Sequence, residues 1–441
     1  MVVCSMRLRK WVKVTLFIIF SILVFIIIHN IFLKNSNISS IKKTKVNYEE
    51  LVSNKLKKEN IDKEFISWIN KTYKGSLKKL NKLLDENEYN ESFWHDVTGN
   101  SFIVLNDLYN NKYDEMDNVK ILKNTKDATL SFVGDISLAD NWYIMPKYDE
   151  RGKKVLGILS KDVVDEMNNS TLMVANSEFT VSNRGTPTKG KTFTFKAKPE
   201  RLNIYYEMGI DLLTLANNHV YDFGKDAFLD MLDAFDEYKL PHIGAGKNIE
   251  EAKKPYYFII NGYKFAFVNA TRAEKNILTP GADENSSGVF RCYDSTNMEN
   301  LIKDIRGDSD YVISIIHFGK EGYHDLEPEQ VRSAKAYIDA GADAVIGHHA
   351  HALQGIEFYK NKPIIYNLGD FIFNSSKEET AMFQIKLKEN GSMDYYILPA
   401  LQEDCYTDFL HGEKKQKLIN DIMNWGINAN IDTDGKITER K

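Results

Sequence analysis

Five of the ten histidines in this 441-residue chain, His219, His317, His348, His349 and His351, stand where a short apolar run stops. The run 129–133 ends in Gly134-Asp135, 172–175 in Asn176-Ser177-Glu178, and 212–216 in Asn217-Asn218-His219. The run 311–316 ends in His317, and 344–347 in His348-His349-Ala350-His351. One histidine in such a place is more often a hydrogen-bonded structural residue than a ligand, and His95, His242 and His411 are read that way. Five together point to a common site. Asp135, Glu178, Asn218 and the imidazoles form a donor set suited to borderline or hard divalent ions such as Mn²⁺, Fe²⁺ or Zn²⁺. His349 and His351 lie two apart, so an extended segment would point both rings the same way. A carboxylate between two ions about 3.5–4 Å apart could bridge them, and such a pair would activate a water and polarise a phosphoryl or carbonyl oxygen. His219 is then left as the general acid for the leaving group.

The positioning elements follow from the same runs. Short apolar stretches alternate with amphipathic ones from residue 128 onward, which predicts an α/β domain. In open α/β sheets the loops at the carboxyl ends of strands converge on ligands, so one sheet edge would gather all five strand ends. Residues 225–238 place Phe228, Leu229, Leu232 and Phe235 on one helical side, and 328–340 open with proline at a helix start. Asn261-Gly262 between apolar runs 256–260 and 263–268 predicts a tight hairpin, and the 389–392 loop predicts a second, so the sheets are expected to be mixed.

Residues 35–126 contain two glycines and no alanine, unlike the rest of the chain, which predicts a boundary near Lys126. There Phe65, Trp68, Ile69, Tyr73, Leu77, Leu80 and Leu84 recur at three- and four-residue steps, as on one face of a helical stalk or packing layer. The expected organisation is 1–34 cytoplasmic tail and membrane anchor, 35–126 helical extension, 127–400 the α/β domain, and 401–441 a C-terminal helical tail.

Four cations, Arg7, Arg9, Lys10 and Lys13, precede residues 14–33, which carry no Asp, Glu, Lys or Arg. Twenty such residues suffice for about 30 Å of hydrocarbon. No alanine precedes Ala128, so no A-x-A cleavage site follows the run, and an uncleaved single span is preferred to a signal peptide. The looser spacing of Lys34, Lys42, Lys43 and Lys45 tips the positive-inside count toward an extracytoplasmic C-terminal domain. The formal charge is −5, from 57 basic and 62 acidic residues, so nucleic acid is excluded as a default partner. Cys4, Cys292 and Cys405 are too scattered for a CxxC metal site or a disulfide framework. Arg184, Arg272 and Arg291, with Lys320 and Glu321, are the loop charges best placed to meet substrate, solvated loop charge being the alternative for each.

Taken in order, Phe132-Val133-Gly134-Asp135, Val174-Ala175-Asn176-Ser177-Glu178, Leu215-Ala216-Asn217-Asn218-His219 with Asp222-Phe223-Gly224, His317-Phe318-Gly319-Lys320-Glu321, the 341–351 segment and Tyr366-Asn367-Leu368-Gly369-Asp370-Phe371 resemble the poly-γ-glutamate capsule biosynthesis family of the CapA type. That family is similar to calcineurin-like metallophosphoesterases. The resemblance covers about residues 129–373. It implies a four-layer α/β/β/α sandwich with mixed sheets, on the outer face of a bacterial membrane, working with capsule synthase subunits and with poly-γ-glutamate or another anionic envelope polymer. It also implies one or two divalent metal ions held by Asp135, Glu178, Asn218, His317, His349 and His351, with His219 in the place of the phosphoesterase acid. The first motif reads Asp135-Ile136-Ser137 where phosphoesterases have Asp-x-His, Glu178 stands for a shorter bridging Asp, and Asp370 occupies a position where the capsule family often has Asn. The first function expected is therefore a membrane-anchored capsule or polyglutamate component. The alternatives are a free-standing metal-dependent phosphoesterase or amidase of the envelope, and a structural protein with a relic site.

Overall fold

The computed structural model describes residues 46–56, 61, 63–86, 93–122, 125 and 127–440. The expected span 14–33 and the first residues of the expected extension, 35–45, lie outside the described residues. Among the described residues no helix is long and apolar enough to cross a membrane.

Two compact units are present, the first ending at Val119 and including Asn261–Lys264, the second comprising Lys120–Ile260 and Phe265–Lys441. The first unit is helical and has its own core, in which Phe65, Ile66, Ile69, Leu77, Leu80, Leu84, Trp94 and Leu105 are buried together. The apolar periodicity from Phe65 to Leu84 belongs to two helices, Lys63–Thr72 and Ser76–Glu86, not one. The break falls at Gly75, whose φ of 79° is accessible to glycine at no steric cost and ends the first helix. His95 bonds the Asn261 carbonyl at 2.7 Å and stacks on Tyr263, a structural role.

The second unit contains two mixed sheets. In the ten-stranded sheet the order is Ala429–Ile431, Lys436–Glu439, Met393–Glu403, Glu378–Leu387, Ala128–Ile136, Leu172–Ser177, Leu212–Thr214 and His242–Ile243, with Asp370–Ile372 paired to Ala128–Ile136 and Tyr406–Phe409 to Met393–Glu403. The seven-stranded sheet runs Val119–Ile121, Tyr256–Ile260, Tyr263–Thr271, Tyr311–Phe318, Ala344–His349, Lys362–Ile365 and Ile356–Tyr359. Both expected hairpins form, and Asn261 and Gly262 take the positive φ values, 49° and 76°, that their turn requires.

The central strands are parallel and buried on both faces, which is why they read as continuous apolar runs. Along Ala128–Ile136, Val133 joins the core formed with Met231 and Phe235 of helix Gly224–Glu237, whereas Phe132 turns toward the other sheet and lies 6.4 Å from Phe267, ring to ring. Helices Ser295–Arg306 and Pro328–Ala340 pack on the seven-stranded sheet and on each other. The 401–441 segment, expected as a C-terminal helical tail, holds strands as well as a helix. Helix Gly412–Trp425 is present, but Tyr406–Phe409, Ala429–Ile431 and Lys436–Glu439 are strands of the larger sheet, because alternating residues such as Ala429, Ile431 and Ile437 bury one face.

The larger sheet closes tightly around the strand that carries Asp135. Asp135 N donates to the Gly369 carbonyl at 2.9 Å, and a Cβ on Gly134 would come within 1.9 Å of that same oxygen. Gly134→Ala should therefore lower stability by about 2–3 kcal/mol through backbone displacement. Thermal or urea unfolding measures it, and an unchanged midpoint would refute the close approach.

Candidate metal centre

Register, set by apolar packing, brings the polar strand ends together. Asp135 pairs with Asn176 on one side and with Asp370 on the other, and Asn176 pairs with Thr214, one turn before Asn217-Asn218-His219. In the second sheet Thr271 pairs with His317, which pairs with His348, while Phe318 pairs with His349. The carboxyl ends of parallel strands from both sheets thus supply one cluster, as expected for a site at sheet edges.

Glu178 Oε1 lies at its centre. This atom is buried and accepts no hydrogen bond, yet it is 3.5 Å from His317 Nε2, 3.7 Å from His351 Nε2 and 3.9 Å from His219 Nε2. Those distances are poor for hydrogen bonds. For His317 and His351 they suit ligands of a shared ion, since two donors each roughly 2.1 Å from a tetrahedral cation are about 3.4 Å apart. Three overlapping donor sets, Glu178–His349–His351, Asp135–His351–Asp370 and Asp135–Glu178–His317, have their atoms within 4.8 Å of one another. His349 Nδ1 is a further buried nitrogen without a partner. A buried polar atom left unpaired costs free energy unless something absent from the polypeptide satisfies it, so the donor set fits a divalent cation.

The remaining atoms orient this shell. His351 Nδ1 bonds Asp370 Oδ1 at 2.6 Å, and Asp370 Oδ2 accepts from Asn374 Nδ2 at 3.0 Å. His219 Nδ1 donates to Asp222 Oδ2 at 2.7 Å. In both pairs a carboxylate holds one ring nitrogen and leaves Nε2 facing Glu178; for His351 this is the arrangement by which outer carboxylates fix the tautomer of a ligating imidazole. Asn218 Oδ1 and His317 Nε2 meet at 2.7 Å. Asn176 Nδ2 donates to Asp135 Oδ1 at 2.8 Å and Glu178 Oε2 at 3.0 Å, tying the two carboxylates together. The main-chain N of His349 donates to Asp135 Oδ2 at 3.1 Å, and His348 Nδ1 lies 3.1 Å from Asp135 Oδ1.

Burial sets the local electrostatics. It raises the Glu178 carboxyl well above the usual range, and the neighbouring Asp135 charge adds to the rise. Burial also acts to raise Asp135, but His348, His317 and His351 outweigh it and hold that carboxyl far below its ordinary value. Desolvation, followed by repulsion from His351, lowers His349 to about 3, and desolvation and His349 lower His317, so both imidazoles are neutral and have lone pairs to offer. For His351 burial acts downward, but Asp370 and Glu178 overcome it and raise the ring.

The structure therefore gathers Asp135, Glu178, Asn218, His219, His317, His349 and His351, but the route to the last two differs from the expected one. The strand stops at His349, whose φ is 94°, and His351 has φ 51°. Their rings, with centroids 6.2 Å apart, converge through a left-handed turn and not by alternation along an extended segment. Positive φ at two histidines is a strained choice that surrounding contacts must hold. Asp370, whose role was open, belongs to the cluster. Asn176 and His348 had strand-end placement as their signal and no assigned role. The three loop arginines are occupied elsewhere. Arg184 pairs with Asp230, Arg272 with Glu329, and Arg291 donates to the carbonyls of Thr279, Ala273 and Glu274. Glu321 remains exposed, with Oε1 3.9 Å from His349 Nε2, and Lys320 lies over the Tyr323 ring.

Comparison with known proteins places this cluster in a family. The family model described as bacterial capsule synthesis protein PGA_cap matches residues 129–375. "Capsule biosynthesis protein CapA" of Bacillus anthracis is 33% identical over 219 residues, covering 47% of this chain and 52% of that protein. "PGA biosynthesis protein CapA" of Bacillus subtilis is 31% identical over 213 residues, covering 47% of this chain and 55% of its own. The chain spans about half the length of these curated relatives. A Staphylococcus aureus crystal structure described as a candidate 5′-nucleotidase is 14% identical, covers 68% of this chain and 59% of its own, and superposes with a TM-score of 0.42. The family match spans more than half of the chain and includes all seven of the site residues expected from sequence, so this protein belongs to the bacterial capsule synthesis protein PGA_cap family, of the CapA type.

Proposed function

We propose that the chain is an extracytoplasmic component of capsule or poly-γ-glutamate biosynthesis, tethered by the apolar run 14–33 and acting through a divalent-metal centre in a four-layer, metallophosphoesterase-like α/β/β/α domain. Capsule synthase subunits and an anionic envelope polymer are its partners in this reading. The names of the CapA relatives support the process. The single observation that carries the metal centre is the buried, unpartnered Glu178 Oε1 facing the Nε2 atoms of His317 and His351.

Asp135, Glu178, Asn218, His317, His349 and His351 would hold a divalent cation there, which would supply Lewis-acid polarisation of a phosphoryl or carbonyl oxygen. The protein's own groups do the rest. Asp370 orients His351, Asn176 fixes the spacing of Asp135 and Glu178, and His219, oriented by Asp222, presents Nε2 to hold or give a proton at the leaving atom. Ser137, in the place of the phosphoesterase histidine, is buried, and Asp370 supplies a carboxylate to the second donor set.

Deletion of the gene tests the process. Surface polymer is expected to disappear and to return on complementation with the full chain, and a deletion strain with normal polymer would overturn the assignment. The second reading, a free-standing envelope phosphoesterase or amidase, is favoured by His219, whose orientation serves proton transfer. In that case the deletion leaves polymer intact while metal-dependent hydrolysis by the purified chain persists.

A further inference from the structure

Lys191 is a lysine whose side chain is 1% exposed, and nothing in the proposed chemistry uses it. Its ammonium contacts Asp222 Oδ1, the Asn218 carbonyl and, at 3.0 Å, Glu274 Oε2, with Thr279 Oγ1 at the edge of reach. Asp222 is itself fully buried. Its second oxygen accepts from His219 Nδ1 at 2.7 Å and from the Phe195 main chain at 2.7 Å, and its main-chain N donates to Thr180 Oγ1. The segment 188–195 is thereby fastened to Asp222 at three points, since Thr188 N also donates to the Asp222 carbonyl at 2.7 Å. The Phe195 ring lies 4.4 Å from the His219 ring.

Removing the Lys191 ammonium and the Asp222 carboxylate from water is costly, and the arrangement persists only because each charge has fixed partners. An aspartate held on one oxygen by a lysine cannot rotate, so the other oxygen has one direction in which to accept from the imidazole. The same lysine pins the main chain of Asn218, whose side chain meets His317. We infer that Lys191 is a positioning residue for His219, acting through Asp222, and that Glu274 holds the lysine in place. This inference rests on the proposed acid role of His219, but the geometry it concerns is measurable without any turnover.

The test uses the full chain labelled with ¹⁵N in its histidines. A Nδ1–H resonance of His219, identified by its disappearance in His219→Ala, is expected in the parent and in Lys191→Arg. It should be lost or shifted in Lys191→Met. Should that variant fail to fold, Lys191→Met combined with Glu274→Gln removes one charge of each sign and is expected to show the same loss, as Glu274→Gln alone should show a smaller shift. With p-nitrophenyl phosphate as the probe, Lys191→Met should lower kcat by about 10- to 100-fold with KM within about twofold, the range typical of lost outer-layer hydrogen bonds. An unmoved His219 resonance in Lys191→Met or in the charge-balanced double variant overturns the inference. Absence of turnover in the parent sinks the hydrolytic reading, while the resonance still decides the role of Lys191.

Discussion

His349→Ala combined with His351→Ala is expected to weaken divalent-metal binding about 100-fold, so that most of the metal is lost to a chelator. His351 belongs to two of the three overlapping donor sets and His349 to one of them, so the double variant leaves only Asp135, Glu178 and His317 as a complete group. If each lost imidazole weakens binding about tenfold, the pair costs about 2.8 kcal/mol, or roughly 100-fold in affinity. Metal content after chelation and reloading, read by mass spectrometry, reports it directly. His411→Ala is the control, because that histidine is exposed and precedes the helix Gly412–Trp425, and its metal content should match the parent. Retention of the full metal complement by the double variant would remove the site assignment.

The second large effect is expected from His219→Ala. His219 belongs to none of the three compact donor sets, and its Nε2 stands 3.9 Å from Glu178 Oε1, farther than the other two imidazoles facing that oxygen. Metal should therefore remain bound. Hydrolysis of a phosphomonoester should fall by about 10²–10⁴-fold, the range for loss of a positioned general acid. The comparison is best made on samples loaded to equal metal content, so that a change in turnover cannot come from occupancy. Equal turnover by parent and variant would end the acid assignment for His219 while leaving the metal centre standing.

These two variants separate the roles of the strand ends, and the separation has a structural origin. His219 and His351 are each held at Nδ1 by a buried carboxylate, Asp222 and Asp370 respectively. The difference lies in what surrounds those carboxylates. Asp222 is locked by Lys191 and the 188–195 segment, whereas Asp370 is hydrogen-bonded to Asn374 and sits in strand register beside Asp135. One dyad is built into the cluster of donors, and the other is anchored from outside it.

The elements that carry the site were legible along the chain because their signals are local. An apolar run buried on both faces ends where polar residues begin, so the strand ends at Asp135, Glu178, Asn218, His317 and His349 could be read directly. The hairpin at Asn261-Gly262 and the helix Pro328–Ala340 follow from turn chemistry and capping, which also act over a few residues. Local signals misled where two solutions share one periodicity. The pattern from Phe65 to Leu84 suits one helix or two, and Gly75 decides between them. The alternation at His349 and His351 suited a strand, but the chain leaves the sheet there.

Residue types and their order alone established an α/β domain with ligand-bearing strand ends, and the family that shares this order. Only the tertiary structure decided which nitrogen of each imidazole faces Glu178, that Asp370 orients His351, and that Lys191 braces Asp222 across 31 residues of chain. The physical reason is range. Propensity, capping and burial periodicity act between neighbours, whereas the direction of a side chain in a buried cluster is set by partners from other strands, whose distance along the chain carries no trace of their distance in space.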